Sequence, residues 1–298
     1  MSQAYLVTIS CFDDAGNLDL GLQRAVWQRS VAAGVGLYVG SASPGEGYAL
    51  EPHEVGALLR LAVEVGGGHV PVRSMGVEPR TGAHMRSLLE IAAESGVDAA
   101  QVYSLDVGHG GRPTSAELER YLRESIESAQ LPVVLSSHVS MGYLLPPGLV
   151  KQLAEDYPQL IGINVTTPEI PYLCDVIERV GERLEVCVGG PMHAMTILAL
   201  GGDGYLCTEA AFIPALCHSV VHHWDAGEYS VAHAAYAEVM KWLRATSCIE
   251  GMSVRRTKAM LALQGLGRSG IRDPFSPIEA AEIEALRAEL TRRGLRWD

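Results

Sequence analysis

Residues 131–165 read LPVVLSSHVSMGYLLPPGLVKQLAEDYPQLIGINV, and this stretch decides the fold. Residues 131–136 (LPVVLS) and 160–165 (LIGINV) are short runs that are apolar on both faces. Parallel strands covered on both sides have this pattern. Between them, residues 146–155 carry apolar side chains at helical spacing. A strand, a helix and a second strand in this order form a βαβ unit with parallel strands.

The unit repeats in both directions. Upstream, strand-type runs at 5–10, 35–39, 70–75 and 98–105 alternate with helical stretches at 20–33, 52–64, 82–95 and 115–129. Downstream, runs at 184–188 and 204–208 alternate with helical stretches at 169–180, 193–199 and 213–226. Eight β-type runs, each followed by a helix, predict an α/β fold of the (β/α)8 TIM-barrel type. No glycine-rich dinucleotide fingerprint follows the first run, which speaks against an open doubly wound sheet. Beyond Gly227 the strands stop, and residues 231–246, 253–263 and 277–293 all read as helices. The expected organisation is a barrel at 1–226 and a C-terminal helical bundle at 227–298.

The composition agrees. The 298 residues are 48% hydrophobic and 19% charged, enough for a large buried core. Thirty-five acidic residues against 23 basic ones give a formal charge of −12. Such a surface repels phosphate backbones and anionic membranes, so neither nucleic acid nor a membrane is an expected partner. No apolar run is long enough to span a bilayer and no basic leader precedes the first strand, so a soluble cytoplasmic protein is expected. Six cysteines without a CxxC pair read as reduced, mostly buried thiols. There are only three lysines, Lys151, Lys241 and Lys258.

Barrel enzymes place their chemistry on the loops after the strands. The loop Gly40-Ser41-Ala42-Ser43-Pro44-Gly45-Glu46-Gly47 follows the second run. Its glycines admit an anion close to backbone N–H groups, and Ser41 and Ser43 can donate further hydrogen bonds, so a carboxylate suits it. Asp106, His109, Ser136, His138, Asn164, Thr166, Cys207 and Glu209 occupy the other loops or strand ends.

That loop in its context, with LPVVLSS, LIGIN, ALGGDGYLCTEAAFIP and VRRTKAMLALQGL following in order, resembles the dihydrodipicolinate synthase and N-acetylneuraminate lyase superfamily of class I aldolases. The resemblance spans nearly the whole chain. It implies a lyase barrel whose Gly-Thr-Thr-Gly-Glu loop holds a 2-oxo acid carboxylate, a C-terminal helical bundle, and a homotetramer built from dimers. It also implies a Schiff-base lysine at the end of the sixth strand, where this chain has Asn164. The family's tyrosine relay falls on Ser136, its second tyrosine pair on Asp106-Val107, and an arginine of the synthase branch on Met141. Lys258 matches a family lysine of the C-terminal helices, read as a surface or inter-helix charge. The imine machinery is therefore expected to be missing.

Two chemistries remain open. In one, His138 or His109 moves protons, Asp106 orients it, and Asn164 with Ser136 polarises a carbonyl without covalent attachment. In the other, Asp106, His109 and His138 ligate a divalent metal that does the polarising. Ser41, Ser43, Gly45, Glu46, Thr166 and Cys207 would contact the substrate. The predicted function is a lyase acting on a small 2-oxo acid or related carboxylate, by carbon–carbon chemistry or by addition or loss of water. It needs no cofactor in the first chemistry and a metal in the second, and the chain is expected to form a homodimer or tetramer. The alternative is a non-catalytic barrel that binds a 2-oxo or sugar acid as a sensor or partner subunit. His218 and His222 have metal-compatible spacing but lie, with His223, on an outer helix, where a surface or interface patch is expected.

Overall fold

In the computed structural model, which describes residues 1–297, each short apolar run forms a strand and each amphipathic run a helix. In chain order these are β1 (Gln3–Val7), α1 (Leu20–Ala32), β2 (Gly36–Val39), α2 (Pro52–Gly66), β3 (Val72–Ser74), α3 (Gly82–Ser95), β4 (Ala99–Tyr103) and α4 (Ser115–Ser128). There follow β5 (Val133–His138), α5 (Pro147–Asp156), β6 (Leu160–Thr166), α6 (Ile170–Val180), β7 (Glu185–Gly189), α7 (Ala194–Ala199), β8 (Gly204–Cys207) and α8 (Pro214–Asp225). The strands close in sequential order into a parallel barrel, β8 pairing with β1. The predicted (β/α)8 architecture is the one observed.

Local chemistry sets the boundaries. Thr114 and Glu117 form a reciprocal capping box at the start of α4. Thr81 caps α3, which ends at Gly96 with φ +77°, a left-handed position that costs glycine little. Several strands are shorter than the runs expected, β1, β3 and β4 most clearly. β1 ends at Val7: the Thr8 N–H still donates to the Tyr38 carbonyl at 2.9 Å, and two residues on Ser10 Oγ donates to the carbonyl of Gly45 in the loop after β2. β3 keeps only three residues.

Alternation in the pleat divides the strand side chains between two cores. Leu6, Leu37, Val72, Leu135, Ile163, Val186 and Tyr205 face the helical ring. Tyr5, Val7, Tyr38, Met75, Tyr103, Cys187 and Leu206 fill the bore. The N-terminal end of the bore is closed by a charged network. Arg73 donates to both oxygens of Glu185 (3.0 and 2.6 Å) and to Tyr38 Oη (3.1 Å), and Tyr5 Oη donates to Glu185 at 3.0 Å. The guanidinium also lies 4.8 Å from the Tyr5 ring centroid. Every buried charge there is paired, as a low-dielectric bore requires.

After the barrel come α9 (Tyr229–Thr246), α10 (Ser253–Leu263) and α11 (Ala280–Arg292). α9 packs on α8, and α11 packs on α9 and α10. Hydrogen bonds that join Phe12 to Ser269 and Gly270, together with two ion pairs, tie this region to the barrel mouth. Arg272 pairs with Glu54 of α2, and Lys258 of α10 reaches Glu46 in the loop after β2. No described helix is long and apolar enough to cross a membrane.

Candidate active site at the barrel mouth

The register Tyr103↔Ser136↔Asn164↔Cys187 runs across β4, β5, β6 and β7 at one level. Tyr103 and Cys187 face the bore, so Ser136 and Asn164, at the same level of the register, share that face. Asn164 is 5% exposed, and its Nδ2 donates to Gln101 Oε1 of β4 at 2.6 Å. Its amide also approaches the Tyr38 hydroxyl. It is thus built into a polar layer of the bore. The hydroxyl of Ser136 stands beside it, and the Ser136 carbonyl accepts from Ser104 Oγ at 3.0 Å.

One pleat higher, His138 is paired with Thr166 at the mouth. The predicted orienting role of Asp106 is corrected here. His138 Nδ1 accepts the Ser140 backbone N–H at 3.1 Å and contacts Ser140 Oγ at 2.6 Å. A backbone N–H can only donate, so the neutral ring carries its proton on Nε2. Burial lowers the pKa of this histidine, which keeps it neutral at pH 7. Its geometry is that of a fixed hydrogen-bond donor rather than a proton shuttle. Nitrogen-15 NMR of the ring should show the Nε2–H tautomer persisting to pH values below 6.5, the usual midpoint for histidine. A ring that titrates at or above 6.5 would contradict this placement.

Asp106 and His109 do not join His138. Asp106 Oδ1 caps the Gly108 N–H at 2.9 Å, and His109 is exposed with φ +51°. Among the described residues no three His, Cys, Asp or Glu side chains gather as a metal site would need. The donors proposed for the metal chemistry are therefore not assembled. On α8, His218 packs over Gly34, where a Cβ would lie 3.0 Å from its ring, and His223 bonds Glu228 at 2.5 Å. These contacts tie helices and turns together.

The loop after β2 also departs from expectation. Ser41 is 1% exposed, and its Oγ accepts the Gly45 N–H at 3.0 Å. A Cβ on Gly45 would fall 2.6 Å from the Ser41 carbonyl, so only glycine permits this closure. Glu46, at φ +56°, is buried and bonds Lys258 Nζ at 2.5 Å. Ser41, Gly45 and Glu46 hold the loop from within, and Ser43 alone of the predicted contacts lies exposed on its rim. Lys258, expected as a surface or inter-helix charge, is 0% exposed along its side chain, with the Gly270 carbonyl at 2.6 Å and the Phe12 ring at 4.9 Å. Cys207 is corrected as well. It faces the helical ring beside Cys217, and burial pushes its thiol pKa well up. Thr166 remains at the mouth, packed over Gly189, where any Cβ would collide with its Oγ1.

Three residues absent from the sequence-based set shape this end of the barrel. Gln101 holds Asn164, and Tyr38 bridges towards Arg73. Glu78, in the loop after β3, is a half-buried carboxyl whose pKa burial raises. The inward parity of Gln101 and Tyr38 was legible in principle. Glu78 carried no signal, because its loop has no motif.

With this geometry in place, comparison with known proteins is direct. A sequence profile of the "Dihydrodipicolinate synthetase family" matches residues 2–293. The 4-hydroxy-tetrahydrodipicolinate synthase of Aromatoleum aromaticum is 29% identical over 287 residues, covering 94% of each chain. That of Maridesulfovibrio salexigens is 25% identical over 293 residues, covering 98% of each. Among solved structures, YagE from E. coli K12, a prophage protein of the dihydrodipicolinic acid synthase family in complex with pyruvate, superposes with a TM-score of 0.89. It has 24% identity and 99% coverage of both chains. Dihydrodipicolinate synthase from Aquifex aeolicus gives a TM-score of 0.88 at 18% identity, with 100% of both chains covered.

Proposed function

Since the chain belongs to the dihydrodipicolinate synthetase family, we propose that it is a lyase acting on a small 2-oxo acid or related carboxylate without forming a Schiff base. The observation that carries this reading is Asn164. It occupies the position that the resemblance assigns to the imine lysine, and its amide is already committed to Gln101 at 2.6 Å. No other lysine is placed to replace it. Lys151 on α5 and Lys241 on α9 have side chains 50% and 60% exposed and pair with neighbouring glutamates. Lys258 is buried, but its Nζ is held by the Glu46 carboxylate, and a nucleophilic amine needs a free lone pair.

In this reading the substrate carbonyl sits above the Asn164 layer, where the Ser136 hydroxyl and His138 Nε2–H donate to its oxygen. Fixed donors aimed at the oxygen lower the energy of the enolate that forms when the adjacent carbon loses a proton or a bond. Ser43 and Thr166 offer hydroxyls to the carboxylate. Assembly as a dimer or tetramer, and the division of the chain near residue 226, belong to the same proposal. A non-catalytic barrel is the second reading, favoured by how completely Tyr38, Gln101, Tyr103 and Asn164 fill the bore.

Borohydride trapping with pyruvate, followed by intact-protein mass, tests the mechanism. No adduct is expected under conditions that modify a lysine-bearing synthase in parallel. An adduct that maps to any of the three lysines would sink the non-covalent reading.

A further inference from the structure

Ser137 stands between Ser136 and His138 on β5, so its side chain points the opposite way, towards the outer core where its register partner Val165 packs. That hydroxyl is where α6 takes hold of the site. We infer that Tyr172 of α6 is the positioning residue for His138: its hydroxyl closes the neck of the loop 138–145, and the closed loop keeps the imidazole proton on Nε2. The inference deepens the lyase reading above and rests on it for the part that His138 plays with substrate.

Three hydrogen bonds meet at the neck. Ser137 Oγ accepts the Leu145 N–H at 3.0 Å and lies 2.7 Å from Tyr172 Oη, which in turn lies 2.7 Å from the Leu145 carbonyl. A carbonyl only accepts, so the tyrosine proton goes to Leu145. The tyrosine then accepts the Ser137 proton, and a serine lone pair remains for the Leu145 N–H. Both backbone groups of Leu145 are thereby fixed to the residue that precedes His138. Ser137 and Leu145 are each 0% exposed, so losing one partner leaves its mate unsatisfied.

The loop above the neck depends on these bonds because it has little packing of its own. Val139, Ser140 and Gly142 are exposed. The chain turns there, with the Gly142 N–H donating to the Val139 carbonyl at 3.0 Å and Gly142 at φ +79°. That turn carries the Ser140 N–H to within 3.1 Å of His138 Nδ1. On the opposite flank, Tyr143 Oη donates to the Leu105 carbonyl after β4 at 2.9 Å. The loop is thus held towards β4 by one tyrosine and towards α6 by the other. With the neck open, Ser140 is no longer kept on Nδ1, and the neutral ring is free to take either tautomer.

The test compares Tyr172→Phe with wild type in the full-length protein, following the His138 ring by nitrogen-15 NMR across pH. Wild type should hold the Nε2–H tautomer and titrate below 6.5, because burial disfavours the charge and protonating Nδ1 displaces the Ser140 N–H. In Tyr172→Phe both tautomers should appear and the midpoint should rise towards 6.5. The same preparations are followed for deuterium uptake from D2O at C3 of pyruvate, 2-oxobutyrate and 2-oxoglutarate. The kcat for exchange should fall about 10- to 100-fold in the variant, with a smaller change in KM.

Tyr205→Phe is the control for a purely structural loss. It deletes a hydroxyl bond to the Cys217 carbonyl, 2.8 Å long, in the outer core at β8, and should leave the His138 tautomer and midpoint unchanged. Should Tyr172→Phe fail to fold, Ser137→Ala removes two of the three neck bonds and is read in the same way. A wild-type tautomer and midpoint in the folded variant would overturn the assignment and leave the lyase reading intact. Failure of the wild type to exchange any of the three acids would overturn the lyase reading, while the ring spectra still decide whether Tyr172 sets the state of His138.

Discussion

Asn164→Lys is expected to yield a protein that traps no pyruvate under borohydride and is less stable than wild type by about 2–5 kcal/mol, measured by urea unfolding. The substitution restores the residue that the family resemblance calls for, so a simple view predicts recovery of imine chemistry. The bore argues otherwise. Removing the amide leaves Gln101 Oε1 without its 2.6 Å donor, and an unsatisfied buried acceptor costs roughly 1–3 kcal/mol. The new ammonium would stand in the layer that holds Tyr38, whose hydroxyl already accepts from Arg73 at 3.1 Å, with Glu185 fully used by that same guanidinium. The bore carboxylate Glu185 already balances Arg73. A well-folded variant that forms a pyruvate adduct would show that the bore still accommodates the lysine and that the loss at position 164 is superficial.

Lys258→Met should be the most damaging single change outside the bore, costing about 3–5 kcal/mol by the same measurement. The pair it breaks is buried on both sides, 0% and 1% exposed, and joins α10 to the loop after β2. Losing the ammonium strands the Glu46 charge, whose second oxygen already lacks a partner. Adding Glu46→Gln removes that stranded charge, so the double variant should recover much of the loss. A cost below about 1 kcal/mol, the level of an exposed ion pair, would mean that water reaches the pair and that the C-terminal helices hold the loop by other contacts. The neighbouring Arg272–Glu54 bridge is one such contact, at 2.5 Å.

These two sites differ in how far the sequence revealed them. The departure at Asn164 is legible in the sequence, because the family resemblance puts a lysine at that position of LIGINV. Its engagement with Gln101 is not, since the two are 63 positions apart and meet only when the barrel closes. Lys258 matched a family landmark and still read as a surface charge. Helical periodicity on α10 says which face is apolar, but not that a glutamate 212 positions earlier waits beneath it. Gly-Ser composition, which suits anion binding, predicts Ser41 and Glu46 as ligand contacts. The fold spends those same groups on closing the loop.

The eight-fold βα period, the closed parallel barrel and the end of the barrel that carries the loops were determined by the sequence alone. They depend on local apolar patterning that each segment carries within itself. Only the tertiary structure decided which polar groups remain free to act. Hydrogen bonds and ion pairs between distant segments consume Asn164, Ser41, Glu46 and the Nδ1 of His138. Availability of this kind depends on partners brought together across the barrel, and composition or spacing along the chain cannot register it.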